Sequence, residues 1–387
     1  MTQKNNVTQT PRRISRRRFL GLAAAGVLAA CNPVESPLAA PAPSEVKEPA
    51  QGGAKEPAPT APPAPADTPV PTVTPTAAPA AAPVATGRPE VIKIYPDGPS
   101  RVIRARHAGV WSGETMNPEA LNQLLDASIT KLTGLNDARE AWSALFKPTE
   151  KIAIKVNAST FDSTHIPLVM AIAGRLQNAG VPAEQIVIFD RNSLELEQAD
   201  YTINKDGPGV RVYGTDGDYT GGWKLLEEKI KLSNILLNCD ALINVPVLKI
   251  AHGPGTSFGM KNHYGAFDSP FMFHEPKFGR SIAELNALTP IKERTRLVIG
   301  DILTPTSHKD LYSGYEIVGL NDTMLMSFDP VAQEAIGLQI AVDSLTAAGQ
   351  DSKMTVKQAT PWLENSAALG LGTNDSKNME VVEVKLS

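Results

Sequence analysis

Two segments of the 387-residue sequence concentrate side chains that can hold an anion and move a proton. The first is Lys155-Val156-Asn157. The second runs Asn244-Val245-Pro246-Val247-Leu248-Lys249-Ile250-Ala251-His252, passes through Gly253-Pro254-Gly255-Thr256 and reaches Gly259-Met260-Lys261-Asn262-His263-Tyr264-Gly265. An ammonium group is a compact point charge, and clustered ammonium groups depress one another's pKa toward the range useful for acid–base work. Lys155, Lys249 and Lys261 are therefore read as the charges that bind an anionic small molecule. His252, Lys249 and Lys261 are the candidates for proton transfer. Asn157 and Asn262 would orient the ligand, while Gly253 and Gly255 would let the backbone approach it. The residue types leave two classes open: an enzyme, or a noncatalytic envelope protein that captures a ligand or partner for a neighbouring complex.

Other chemistries draw on the same stretch. His252, His263 and His274, with Asp301 or Asp329, offer nitrogen and oxygen ligands for a divalent metal ion, although the eleven-residue steps between them match no compact metal motif. Gly255-Thr256-Ser257-Phe258-Gly259 fits the Gly-x-Ser-x-Gly pattern of a serine hydrolase, with Asp301 and His308 following in hydrolase order. An elbow serine stands on the turn directly after its strand, whereas Ser257 lies nine residues past Leu248, so a helix-capping role is expected for it instead. The two cysteines, Cys31 and Cys239, cannot build a four-thiolate zinc site or a cysteine-ligated iron–sulfur cluster. Cys239 is expected to be a buried small hydrophobe. The glycines at 253, 255 and 259 fail the dinucleotide spacing, and no Walker lysine motif is present, so the cofactor is unknown.

Strands and helices must carry these residues to one place. From Glu90 onward, short β-branched runs alternate with helical periods. Strands are expected at Val91–Tyr95, Val102–Arg106, Lys151–Asn157, Ile186–Asp190, Val210–Tyr213, Ala241–Leu248, Arg296–Gly300, Met324–Phe328 and Val381–Leu386. Helices are expected from Pro118 behind an Asn117 cap, over Asp137–Phe146, Pro167–Ala179, Trp223–Ile230, Ile282–Leu288 and Val356–Asn365, and from Pro330 behind an Asp329 cap. The β-α-β order around residues 151–190 calls for parallel pairing with a crossover helix. The predicted fold is α/β, a mainly parallel sheet flanked by helices with room for a smaller subdomain. Ligands of such sheets bind beyond the carboxyl ends of the strands, which is where Lys155, Asn157, Lys249 and His252 fall.

The run Asn-Val-Pro-Val-Leu-Lys-Ile-Ala-His, followed by Met-Lys-Asn-His-Tyr-Gly, resembles the signature of the family known as domain of unknown function 362. Lys155-Val156-Asn157 after a strand, Asp190, Asp301 and Ser327-Phe328-Asp329-Pro330-Val331-Ala332 extend the likeness over roughly residues 150 to 340. The resemblance implies the fold and the position of a site. Many relatives also carry a cysteine-rich ferredoxin module, which this chain lacks, and Ile250-Ala251 stands where Thr usually precedes the histidine.

The formal net charge of −4 hides an asymmetry, because six basic residues and no acid precede Cys31. Removing those six from the 37 basic residues leaves 31 against 41 acidic ones, a net −10 that makes nucleic acid a poor partner. Ser15-Arg16-Arg17-Arg18-Phe19-Leu20 resembles a twin-arginine export signal, which implies the twin-arginine machinery as a partner. The uncharged run Phe19 to Ala30 is too short to span a bilayer and fits a signal peptide. Leu28-Ala29-Ala30-Cys31 looks like a lipobox, with Cys31 acylated to anchor the protein to the cell-envelope membrane. Residues 32–89 hold 16 of the 32 prolines, and such a Pro/Ala/Thr-rich composition predicts a disordered, partly extended linker. The expected organisation is a signal peptide over 1–31, this linker, and an α/β domain over 90–387.

Overall fold

Parallel strands covered on both faces read as unbroken apolar runs, and two such runs form the middle of the molecule. A computed structural model describes residues 89–158, 162–308, 315–317 and 322–387. The signal segment, Cys31 and the linker up to residue 88 lie outside the described residues.

The principal sheet is built from β1 (Ser100–His107), β2 (Ile152–Val156), β3 (Ile186–Phe189), β4 (Arg211–Val212), β5 (Ala241–Val245), β6 (Val247–Ala251), β7 (Gly255–Ser257), β8 (Thr295–His308), β9 (Tyr315–Ile317), β10 (Thr323–Ser327) and β11 (Met379–Leu386). Its main path runs β11-β1-β10-β8-β5-β2-β3-β4. Every neighbour pair on that path is parallel except the two that involve β10, so β10 alone runs against the rest. The mainly parallel α/β architecture is therefore as the sequence predicts.

Side chains alternate between the two faces of a strand. Ile152, Ile154, Val156, Ile243 and Val245 pack on one face with α1 (Pro118–Thr133), α2 (Ala138–Leu145) and α3 (Ile166–Asn178). Asn117 caps α1 by accepting from the Glu119 N–H at 3.0 Å, and Gly134 ends it in the left-handed conformation. The opposite face, with Ala153 and Leu242, lies under α4 (Gly259–Asn262), α5 (Phe278–Ala287), α6 (Pro330–Ala347) and α7 (Lys353–Ala368). Asp329 caps α6 through the Val331 and Ala332 N–H groups, at 2.8 and 2.9 Å. By the same parity Lys155 shares the second face with Ala153, and Asn244 shares it with Leu242. The sheet register sets Lys155 and Asn244 side by side. They are the only polar residues in two strands that are buried at every position.

Three elements differ from expectation. Val91–Tyr95 forms turns rather than a strand, because Pro89, Pro96 and Pro99 remove backbone donors around it. Trp223–Ile230 belongs to a hairpin of Tyr219–Leu225 and Glu228–Ser233 instead of a helix. Gly221 and Gly222 weaken a helix there, Leu226 turns the chain at φ 55°, and Leu225, Ile230 and Leu232 enter the core at strand spacing. The single strand expected over Ala241–Leu248 is divided at Pro246 into β5 and β6. Pro246 has no N–H to give to the ladder, but its carbonyl accepts from the Asp301 N–H at 2.8 Å. The 14-residue β8 bridges the break, pairing with β5 along its first half and with β6 beyond Asp301.

Candidate functional site

Lys155 is fully buried, so its ammonium must find partners inside the protein. It donates to Asp190 Oδ1 at 2.6 Å, to the Val156 carbonyl at 2.6 Å and to Asn262 Oδ1 at 3.3 Å. Asp190 accepts in addition from the Ala158 and Arg191 N–H groups, at 2.6 and 2.8 Å. Burial pulls the Lys155 pKa down, against the opposing pull of Asp190. Gly265 lies directly on this pair, and a Cβ there would run into both Asp190 and Lys155. An ammonium has three protons to donate, and all three are used. The expectation that Lys155 offers its charge to a ligand is corrected accordingly: it is an internal brace.

From that brace a chain of amides leads to the second lysine. Asn262 donates to the Lys155 carbonyl at 3.2 Å and to Asn244 Oδ1 at 2.7 Å, and Asn244 donates to the Gly259 carbonyl at 2.7 Å. The Lys249 ammonium donates to Asn157 Oδ1 at 2.7 Å. Lys249 stands on β6 between Ser257 of β7 and Thr306 of β8 in register. Burial lowers its pKa to about 8; Asp162 pulls it upward, while Lys261 and Lys155 press it down. Asp162 is in turn pushed up to about 6 by burial, against the attraction of Lys249 and His165. The Thr306 hydroxyl faces this carboxyl and helps to hold it ionised.

Lys261, on α4, holds its ammonium over the rings of Tyr264 and Phe278, 5.2 and 5.4 Å from their centroids. Burial lowers its pKa to about 8 as well. His274 stands edge-on to the same two rings and is lowered by its own burial and by the Lys261 charge. The structure thus links Lys155, Asn157, Lys249 and Asn262 through hydrogen bonds, with the Lys261 charge felt at Lys249.

Other expected site residues go elsewhere. His252 is exposed on the turn between β6 and β7. Gly255, at φ 79°, is pressed against α7, where a Cβ would strike the Thr355 carbonyl, so it serves helix packing rather than ligand approach. Gly253, at φ 92°, faces Phe278 and Glu275. Ser257 ends β7 instead of capping a helix, since Phe258 occupies the position before α4. His263 is buried against Asn286 Oδ1 at 2.7 Å and is lowered to about 4, while His274 meets the Pro270 carbonyl at 3.0 Å. Among the described residues no group of three His, Cys, Asp or Glu side chains is arranged to hold a metal ion, so the proposed histidine set is not assembled. Cys239 is buried, its thiol pushed up to about 12.

Several site residues escaped the sequence reading. Asn244 had a visible signal, an amide inside an apolar run. His165 and Asp162 had none, because they stand in an irregular loop that closes only when Thr164 bonds the Asn157 backbone in both directions, at 2.8 and 2.9 Å. Glu334 on α6 is buried, accepts from the Met260 N–H at 2.5 Å and is pushed up to about 8 by burial. It ties α6 to the helix that presents Lys261 and Asn262.

Known proteins were compared with this chain. No curated protein matches it. Among solved structures, a Thermotoga maritima protein from a structural genomics programme is similar at 10% identity and a TM-score of 0.33, over 67% of this chain and 60% of its own. The lactate racemase apoprotein of Thermoanaerobacterium thermosaccharolyticum is similar at 10% identity and a TM-score of 0.33, over 52% of this chain and 50% of its own. This chain therefore spans half to three-fifths of the length of those two structures. The family model described as Domain of unknown function (DUF362) matches residues 152–339, which include β2, β5, β6 and both lysine segments. Residues 152–339 thus match the domain of unknown function 362 family.

Proposed function

We propose that this chain is an exported, lipid-anchored α/β protein that binds a small anionic molecule at the carboxyl ends of its parallel strands. Charge balance inside the cluster carries the reading. Lys155 is matched by Asp190, and Lys249 faces Asp162, but Lys261 has no carboxylate within ion-pair distance among the described residues. Lys261 is half-buried, so its ammonium is partly stripped of water without a counter-charge, and a bound anion offsets that cost. Lys261 and Lys249 supply the charge and Asn157 orients the ligand; the expected orienting role of Asn262 is corrected, because its buried amide is spent on Lys155, Asn157 and Asn244. Export and anchoring are supported by the arginine motif at Arg16-Arg17 and the Leu28–Cys31 box.

Thermal unfolding of the full chain with inorganic phosphate and with pyruvate tests the binding reading. A ligand that binds only the folded state stabilises it by about 2.7 kcal/mol at a hundred times Kd. The Tm of the wild type should rise with each anion that binds, and Lys249→Met and Lys261→Met should abolish the rise. Equal shifts in the wild type and both variants would refute the site.

A further inference from the structure

We propose that His165 and Asp301 are the proton-transferring pair of this site, so that a small 2-oxo carboxylate bound there is turned over as well as held. The proposal rests on the anion-binding reading above. Asp301 is fully buried at the point where β8 passes from β5 to β6. Its Oδ2 accepts from the His165 backbone N–H at 2.9 Å and lies 2.8 Å from ring Nδ1, while its Oδ1 accepts from the Leu303 N–H at 3.1 Å. A carboxylate fixed by two backbone donors holds the imidazole as the Nδ1–H tautomer and turns Nε2 away from itself. Nε2 lies 3.2 Å from the Thr304 hydroxyl, and the Trp111 ring stands edge-on to the imidazole at 5.5 Å. The His165 side chain retains 18% exposure where Asp301 has none, so the ring is the member of the pair that a small molecule can reach.

The pair belongs to the lysine site. The charges of Lys249, His165 and Asp301 all bear on the Asp162 carboxyl. Thr304 and Thr306 are two residues apart on β8, and Thr306 pairs with Lys249 across the sheet. One stretch of β8 therefore carries both the Thr304 hydroxyl that meets His165 and the Thr306 that pairs with Lys249.

Two ammonium groups suit a molecule with one standing negative charge and one that develops during reaction. In a 2-oxo carboxylate, Lys261 holds the carboxylate and Lys249 faces the carbonyl oxygen. Neutral His165 Nε2 takes a proton from the carbon next to the carbonyl. The electron pair of that C–H bond becomes the carbon–carbon double bond, and the carbonyl π pair moves to oxygen as an enolate opposite Lys249. Asp301 stabilises the imidazolium, which returns a proton to carbon and restores the neutral ring. In heavy water the returned proton is a deuteron.

The test follows loss of the pyruvate methyl signal by proton NMR in D2O with the full chain, beside calorimetric titration of pyruvate and phosphate. The wild type should exchange the methyl protons at least 100-fold faster than buffer. His165→Gln, which keeps the backbone bond to Asp301, should lose 10²- to 10⁴-fold in exchange rate. Its pyruvate Kd should stay within threefold of wild type. Asp301→Asn should retain binding and displace the pH profile of exchange, which a merely structural carboxylate would not do. Pyruvate binding with no exchange above buffer overturns the proton-transfer pair and leaves the anion site standing, as does undiminished exchange in His165→Gln. Failure of the wild type to bind pyruvate or phosphate overturns both readings.

Discussion

At the residue scale, three lysines of one sequence pattern do two different jobs, and their partners decide which. Lys155 has a carboxylate, a carbonyl and an amide around it, whereas buried Lys249 faces Asp162 and half-buried Lys261 has two aromatic rings beside it and no carboxylate. Removing one member of a buried ion pair leaves the other charge uncompensated at a cost of about 3–5 kcal/mol. Asp190→Ala should therefore lower unfolding stability by roughly that amount in urea titrations at pH 7, without a ligand present. Lys155 was legible from its place near the end of a β-branched run, though as a ligand-binding charge and not as an internal brace, while Asn244 was missed although it is an amide inside an apolar run. His165 was not, because its partner Asp301 is 136 positions away and only the sheet brings them together. The role assigned to His252 followed from its place after a strand, but the turn between β6 and β7 leaves it exposed.

At the element scale, the site depends on a broken strand and a short helix held in place. Pro246 divides what would be one strand, β8 spans the division, and the return through β7 delivers α4 with Lys261 and Asn262. Gly255 makes that return possible, and its backbone conformation and its contact with α7 both exclude a side chain. Gly255→Ala should cost more than about 2 kcal/mol, read as a lowered urea midpoint with an unchanged slope. Glu334 clamps α4 from the far side through the Met260 N–H. Its folded pKa of about 8 lies above the usual 4.5, so the folded chain keeps a proton that the unfolded chain gives up between those values. Stability from this group is complete below about pH 4.5 and declines as pH rises toward 8. Glu334→Gln has no proton to lose, so its Tm relative to wild type should climb between pH 5 and pH 8. A difference in Tm that stays constant across that range would contradict a protonated Glu334. Strand and helix positions were largely legible from apolar period and caps, as with α1 behind Asn117 and α6 behind Asp329. The Trp223 segment was misread because its six-residue alternation is short and its partner strand supplies the missing order.

At the scale of the whole molecule, a mainly parallel sheet gathers strand ends from distant parts of the chain onto one edge, and chemistry collects there. The sequence revealed that edge because ligand-type residues follow apolar runs at 155–157 and 249–252, yet it could not show which lysine would be neutralised by Asp190. The proposed tether adds a separate expectation: Cys31→Ser should move the protein from the membrane fraction to the soluble fraction of an export-competent host, with wild type retained in the membrane. The measurement closest to the central claim is calorimetric titration of the wild type and Lys261→Met with phosphate and pyruvate at pH 6.5 and 9.5. Lys249 and Lys261 lose their charges as pH rises through about 8, so wild-type affinity should fall at least tenfold between the two conditions. Lys261→Met should bind neither anion at either pH. Binding that is indifferent to pH and unchanged by the substitution would show that these ammonium groups do not form an anion site.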